Sequence, residues 1–305
     1  MDPRTVDVDR LAHLRGLGFN RLSFGVQDFD PAVQTAVHRE QSFLSVAALL
    51  HGARSLGFVS TNVDLIHGLP RQTPTSFART LAEVTALRPD RVALYAYAHL
   101  PERFKAQRRI SAADLPDDAT RLQFVREANR VFAAEGYDAI GMDHYALAGD
   151  SLAVARREGR LHRNFQGYST RPDCDLVALG VSSIGRIGAT YAQNAKVLPA
   201  YEQALARGEF PIERGWALDA DDLARRDAIM ALMCRGRLDH AAFEAAHGGD
   251  FAERFANELR DLAPLADAGL VELRSDAVVV TPAGWQRVRT VAKVFDAHLR
   301  GVRAA

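Results

Sequence analysis

The chain has 305 residues, 48% of them apolar and 25% charged, enough to bury a large core and to predict one large domain plus a smaller one. Its 38 basic residues balance 38 acidic ones, so no whole-chain field recruits nucleic acid or an anionic membrane surface. The N-terminal Met-Asp-Pro-Arg-Thr-Val-Asp has no apolar core of a signal peptide, and no run approaches the roughly 18 apolar residues of a membrane span, which predicts a cytoplasmic protein with neither a membrane nor a nucleic-acid partner.

From residue 6 to about 145, helical and strand patterns alternate. Residues 22–26, 63–66 and 92–98 are short, mostly apolar runs expected as strands. After Ser42, the residues Phe43, Val46, Ala47, Leu50 and Ala53 recur at helical spacing, and Gly57 is placed to stop that helix in a left-handed conformation. Phe77, Leu81, Val84 and Leu87 do the same behind Thr73-Pro74, an N-cap with proline at the first helical position. Strands joined through such helices must be parallel. The run at 92–98 hardly alternates, so both of its faces are expected to be covered, as in a doubly wound sheet or a β/α barrel.

Against that pattern, Asn62-Val-Asp-Leu-Ile-His-Gly-Leu-Pro-Arg-Gln-Thr73 carries a carboxylate, Asp64, within its apolar run. It either points at a ligand held at the C-terminal face of a parallel sheet, or it caps nearby backbone or pairs with an arginine. The sequence leaves these two readings even. Gln27, at the end of the first strand, and Arg39, after Val37-His38, read singly as cap or surface residues; together with Asp64 they gain weight, because ends of successive parallel strands converge on one face.

After Tyr145 the pattern loosens into segments expected as loops over a site. His162-Arg-Asn-Phe-Gln-Gly-Tyr168 places hydrogen-bonding side chains between two aromatics, which suits an anionic or planar ligand or, more plainly, a solvated loop with a packed anchor. The glycines at 180–188 lack the spacing of a dinucleotide fingerprint or a P-loop and read more simply as a turn passing close to a neighbouring strand. Beyond residue 211, helical patterns with Phe251, Phe255, Leu259 and Leu262 on one face precede two short strands around Ser275-Asp276, a winged-helix-like order. Cys174 and Cys234 are too sparse for a disulfide framework or a zinc site and are expected as reduced, buried thiols.

Six segments carry a resemblance: Asn20-Arg-Leu-Ser-Phe-Gly-Val-Gln-Asp-Phe29, Val37-His-Arg-Glu-Gln41, Asp64-Leu-Ile-His-Gly-Leu-Pro-Arg-Gln-Thr73, Tyr97-Ala-His-Leu-Pro101, Gly141-Met-Asp-His144 and His162-Arg-Asn-Phe-Gln-Gly-Tyr168. Together they resemble the oxygen-independent coproporphyrinogen III oxidases, radical S-adenosylmethionine enzymes of haem biosynthesis, along essentially the whole chain. The fold so implied is α/β, the remainder of a partial (β/α) radical-SAM barrel over 1–210 with a C-terminal helical, winged-helix-like domain over 211–305. The implied activity is two oxidative decarboxylations that convert coproporphyrinogen III to protoporphyrinogen IX. In the family a [4Fe-4S] cluster, fed by an electron donor, reduces S-adenosylmethionine to methionine and a 5′-deoxyadenosyl radical. The resemblance puts Gln27, Arg39, Asp64 and Ala98 around one S-adenosylmethionine and Ile184 beside another, with Gln166 lining the same cavity; Ala98 and Ile184 would act through backbone groups or packing.

The family's Cys-x-x-x-Cys-x-x-Cys loop is not in this sequence, and Cys174 and Cys234 cannot supply three cluster ligands. A Gly-Gly-Gly-Thr-Pro segment and the acidic residue before the family's Val-Asp-Pro-Arg are missing too, and Met1 stands in that valine's place. The expectation is a truncated frame in which a GTG valine codon has been taken as a start, a hypothesis that an upstream stop codon ahead of any cysteine loop would sink. A sheet cut in this way is expected to expose the edge at 22–26 and to self-associate. His67 stands where many relatives have an aromatic. The alternative function is a non-catalytic haem- or porphyrin-binding protein of the haem-chaperone kind; a winged-helix nucleic-acid binder is disfavoured by the neutral charge balance.

Overall fold

Helix and strand alternate through the first half of the chain as the hydrophobic periodicity dictates. Helix α1 (Val8–Gly16) precedes strand β1 (Arg21–Gln27); α2 (Pro31–Ala36) and α3 (Phe43–Ser55) lead to β2 (Ser60–His67); α4 (Pro74–Leu87) leads to β3 (Arg91–Ala96); and α5 (Asp118–Ala134) leads to the hairpin β4 (Tyr137–Gly141) and β5 (His144–Leu147). A computed structural model describes residues 1–165, 167–171 and 174–301 of this chain. Among the described residues no helix is long and apolar enough to cross a membrane.

The helix ends follow local chemistry. The Ser42 side chain accepts from the Ser45 N–H to open α3, and Gly57, at φ 77°, follows its C-cap in the left-handed region. Thr73 and Ser76 cap one another reciprocally at the start of α4, with Pro74 in the first turn. These helices return the chain so that β1, β2 and β3 run parallel. The sheet order is β1-β2-β3-β5-β4, and the β4–β5 hairpin adds antiparallel strands beyond β3.

One face of this sheet is dry. Leu22, Phe24, Val26, Val63, Leu65, Val92 and Leu94 pack with Val46, Leu50, Phe77, Leu81, Phe124 and Phe132 of the helices in a single apolar cluster. Each such side chain contributes about 1.5–3 kcal/mol on burial. The other face is less fully sealed: Asn62, Asp64 and Ile66 of β2 are half-buried and Tyr95 of β3 is exposed, although Ala93 in the same row is buried. The expectation that both faces of the run at 92–98 are covered holds for Val92, Ala93 and Leu94 and is corrected beyond them, where Tyr95, Ala96 and Ala98 are exposed. Asp64 lies mid-strand on the half-exposed face, not at the C-terminal end of β2.

Compact packing divides the chain into Met1–Val154 and Ala155–Ala305, whereas the division implied by the resemblance falls at 210. Helix α6 (Ser151–Arg157) spans that division. In the second unit, β6 (His162–Asn164) and β7 (Gly167–Ser169) form an antiparallel pair, and the Tyr168 hydroxyl donates to the Met233 carbonyl at 3.1 Å. Strands β8 (Ile184–Ile187) and β9 (Thr190–Asn194), helix α7 (Leu198–Ala206) and β10 (Ile212–Ala217) follow, the three strands making an antiparallel sheet. Then come α8 (Ala220–Arg235), β11 (Arg237–Asp239), α9 (His240–His247), α10 (Phe251–Arg254), α11 (Ala256–Asp267), β12 (Val271–Leu273) and β13 (Ala277–Val280). The sheet order β11-β13-β12 beneath these helices is a winged-helix arrangement, with Phe243, Phe251, Phe255 and Phe295 packed edge-on in its core.

Candidate binding face of the first sheet

On the half-exposed face, neighbouring strands bring side chains into rows. Ser23 lies opposite Asn62, and Gly25 opposite Asp64. The Ser23 hydroxyl donates to Asp64 Oδ2 at 3.0 Å, and the Asn62 amide donates to Asp64 Oδ1 at 2.6 Å and to Ser23 Oγ at 3.0 Å. This closed triangle fixes the carboxylate while leaving it lone pairs for further donors. Among the described residues no arginine pairs with Asp64 and it caps no helix, so the plainer of its two sequence readings is not what the fold does with it.

Gln27 reaches the same face through a bulge. The pairing register slips between Gly25 and Gln27, and Gln27 adopts φ 69°. Its side chain folds back so that Nε2 stands 2.6 Å from where a Cβ on Gly25 would be. Glycine at 25 thus makes room for a neighbour's side chain, and its own backbone angles do not call for it.

Arg39 closes the group from the segment after α2. Its Nη2 donates to the Gly25 carbonyl at 3.0 Å and lies 3.3 Å from Asp2 Oδ2. The Arg4 side chain, with Arg39 beside it, holds the Asp2 carboxyl down at about 2. The Arg39 Nε–H is buried and donates to no partner among the described residues. That segment is tied to the end of β1: Gln34 Nε2 donates to the carbonyls of Asp28 and Gln41, each at 2.9 Å, and Gln41 Nε2 donates to the Val26 carbonyl.

A second network sits behind these residues. Asp28, 1% exposed, accepts at Oδ1 from the Asp30 N–H and Thr80 hydroxyl and at Oδ2 from Gln72 Nε2, while Gln72 Oε1 accepts from Gly68 N–H at 2.6 Å. Burial raises the Asp28 pKa and the three donors pull against it.

The structure therefore gathers Gln27, Arg39 and Asp64 about Gly25. Ala98 lies two residues beyond β3, exposed, its carbonyl accepting from Gln107 Nε2 at 3.0 Å. Ile184 opens β8 in the second unit, and Gln166 lies outside the described residues. In the glycine-rich stretch, a Cβ on Gly185 would stand 2.7 Å from the Leu176 carbonyl, and Leu176 and Arg186 exchange backbone hydrogen bonds, which is the close approach the simpler reading expects. Ser23, Asn62, Gly25 and Asp2 were not singled out by sequence; the i, i+2 spacing of Asn62 and Asp64 was the available signal, but Ser23 and Gly25 needed the strand register.

The thiols do not form a site. Cys234 is buried, which pushes its pKa up to about 11, whereas Cys174 is exposed, a correction to the expectation that both are buried. Among the described residues no group of three or more His, Cys, Asp or Glu side chains could hold a metal ion.

Residues 218–287 match the family described as the HemN C-terminal domain. The chain is 51% identical over 300 residues to an oxygen-independent coproporphyrinogen III oxidase of Salmonella typhimurium and 50% identical over 300 residues to that of Escherichia coli, covering 98% of this chain and 66% of each relative. It thus spans about two thirds of the length of these curated relatives. The solved structure of the Escherichia coli enzyme, described as a radical SAM enzyme, superimposes with a TM-score of 0.95 at 49% identity, covering 98% of this chain and 69% of that one. The α/β architecture is accordingly that of a radical-SAM enzyme of this kind, with its C-terminal domain, and the chain belongs to the oxygen-independent coproporphyrinogen III oxidase family.

Proposed function

We propose that this chain is the ligand-binding part of an oxidase that removes two carboxyl groups from coproporphyrinogen III to give protoporphyrinogen IX in haem biosynthesis, using S-adenosylmethionine in the cytoplasm. The observation that carries this reading is the convergence of Gln27, Arg39 and Asp64 on Gly25. These groups suit S-adenosylmethionine. The unused Arg39 Nε–H meets a carboxylate, the Asp64 carboxylate takes a ribose hydroxyl or the ammonium group, and the Gln27 amide offers a donor and an acceptor above a glycine that leaves room for them. Ala98, Ile184 and Gln166 belong to the proposed binding set through the family resemblance alone. When bound and reduced, S-adenosylmethionine supplies a 5′-deoxyadenosyl radical for removing a hydrogen atom from the substrate propionate.

The [4Fe-4S] cluster does not fit these residues. Two thiols 60 positions apart, one buried and held protonated and one exposed, cannot replace three closely spaced thiolates. No electron-transfer step is therefore assigned to this chain, and the cluster ligands and electron donor must come from outside its 305 residues. By itself the polypeptide binds without turnover, which is the behaviour shared with the haem-chaperone-like reading; neither a nucleic acid nor a membrane is a proposed partner.

Calorimetric titration of the 305-residue chain with S-adenosylhomocysteine tests this. Binding is expected, and Asp64→Asn is expected to weaken it at least tenfold. Incubation with iron and sulfide is expected to give no cubane absorption. Absence of binding, or cleavage of S-adenosylmethionine by the chain alone, would overturn the reading.

A further inference from the structure

We propose that the loop after β3 is a handle for the substrate's carboxylates: Arg103, Lys105, Arg108 and Arg109 hold the propionates that the reaction leaves intact, and Phe104 lies against the tetrapyrrole ring system. This deepens the binding reading above and rests on it for the substrate's identity. Within residues 102–109 four cationic side chains stand against one carboxylate, Glu102. All five charged residues are exposed, and among the described residues none of the four cations forms an ion pair. The carboxylates that follow are already engaged: Asp114 lies 3.6 Å from Arg71 Nε, and Asp117 caps α5 by accepting from the Thr120 N–H. One exposed ring is ordinary on a protein surface, but Phe104, 55% exposed amid uncompensated cations, suits an anion with an apolar body.

Hydrogen bonds hold the loop in shape. The Leu100 carbonyl accepts from the N–H groups of Arg103 and Phe104 at 3.0 and 2.9 Å, ahead of a 3-10 helix over Lys105–Arg109. Gln107 turns its amide back on the chain: Nε2 donates to the Ala98 carbonyl at 3.0 Å, and Oε1 accepts from the Leu100 N–H at 2.6 Å. Arg108 Nε donates to the Pro101 carbonyl at 3.0 Å. Three residues per turn place Lys105 and Arg108 above one another on one side. At the base, the Tyr97 N–H donates to the His67 carbonyl at 2.9 Å, which hangs the loop from the C-terminal end of β2, the strand that carries Asp64. The loop thus closes on Ala98, a member of the proposed binding set.

The proposed reaction gives such a handle a use. Two propionates lose their carboxyl groups while the others stay carboxylates, so cations on the latter contribute binding that does not oppose the chemistry and orient the side chains that react. Guanidinium groups match carboxylates bidentately. Each exposed contact is weak and screened by salt, so the effect is collective.

The test follows coproporphyrin III fluorescence on titration with the 305-residue chain, with S-adenosylhomocysteine titrated calorimetrically beside it. Arg103→Ala, Lys105→Ala and Arg109→Ala are combined, since among the described residues none of these side chains makes a hydrogen bond. The combination is expected to weaken coproporphyrin III about tenfold and to remove most of the salt dependence of its binding. Its melting midpoint should match the parent's, and its affinity for S-adenosylhomocysteine should stay within twofold. Arg103→Lys, Lys105→Arg and Arg109→Lys combined keep the charges and should hold coproporphyrin III within threefold. The tetramethyl ester of coproporphyrin III should bind the parent and the alanine variant equally. Unchanged affinity for coproporphyrin III in the folded alanine variant, or an equal loss for the ester, overturns the handle. If the unaltered chain binds S-adenosylhomocysteine but not coproporphyrin III, the handle alone falls; if it binds coproporphyrin III through these cations but not S-adenosylhomocysteine, the reading of the Gly25 face falls and the handle stands.

Discussion

Gln72 Nε2 donates to Asp28 Oδ2 at 2.6 Å, which makes the chain just past β1 and the turn just past β2 one hydrogen-bonded unit. Every hydrogen-bond partner of the Asp28 carboxylate among the described residues is a donor, and Gln72 cannot turn its amide without losing Gly68 and Leu69. Asp28→Asn sets an amide donor against Gln72 Nε2 and is expected to destabilise the fold by about 1–3 kcal/mol, read by urea unfolding. Because burial raises the Asp28 pKa in the folded state, its stabilisation is fully present below the ordinary carboxylate range and declines as pH rises through the raised value, so the deficit of the variant should shrink with rising pH. A variant as stable as the parent at acid pH would refute this.

His67 gives the opposite dependence. Burial first, and the Arg121 charge second, lower its pKa to about 4, and its Nδ1 is buried with no partner among the described residues. A base whose folded pKa is depressed contributes stability above its unfolded value, near 6.5, and loses it as pH falls towards 4. The chain should lose up to about 3 kcal/mol over that window from this group. His67→Phe should flatten the profile while leaving stability at pH 7.5 within about 1 kcal/mol. Equal acid sensitivity in both proteins would remove His67 as the cause.

Gly25→Ala tests the cradle. The new methyl meets Gln27 Nε2 at 2.6 Å, the end of a flexible side chain, and only then Arg39 Nη2 at 3.6 Å. The melting midpoint is expected to change little, with a cost under about 1 kcal/mol, whereas affinity for S-adenosylhomocysteine should fall at least fivefold as Gln27 is displaced. Unchanged affinity in a folded variant would mean that Gln27 does not touch the ligand.

In the second unit, Arg225 Nη1 pairs with Glu258 Oε1 at 2.9 Å, and the Glu258 side chain is 3% exposed. Arg225→Met takes the ion pair from a buried carboxylate and is expected to cost about 3–5 kcal/mol. Adding Glu258→Leu should recover part of that loss in a double-mutant cycle, since the buried carboxylate that has lost this ion pair goes with it. No recovery would assign the effect to packing.

The strands and capped helices of the first unit were legible because their signals are local. Thr73-Pro74, Ser42 and Gly57 act on their own turns, and the apolar runs needed no partner to be recognised. Coverage was misjudged at the end of β3 because Tyr95 and Ala96 continue an apolar run, and a run of that kind does not say where its cover stops. Asp64 and Arg39 could be noticed from their types; that Arg39 reaches the Gly25 carbonyl could not, because that depends on how the segment after α2 returns to β1.

The amino-acid order alone determined the β/α rhythm, the family and the scarcity of thiols, since periodicity, motif and count are properties of residues and their spacing. Only the folded chain decided that Ser23, Asn62 and Asp64 form a triangle and that a bulge turns Gln27 over Gly25. Those relationships are set by strand register, where a shift of one residue would send each side chain to the opposite face.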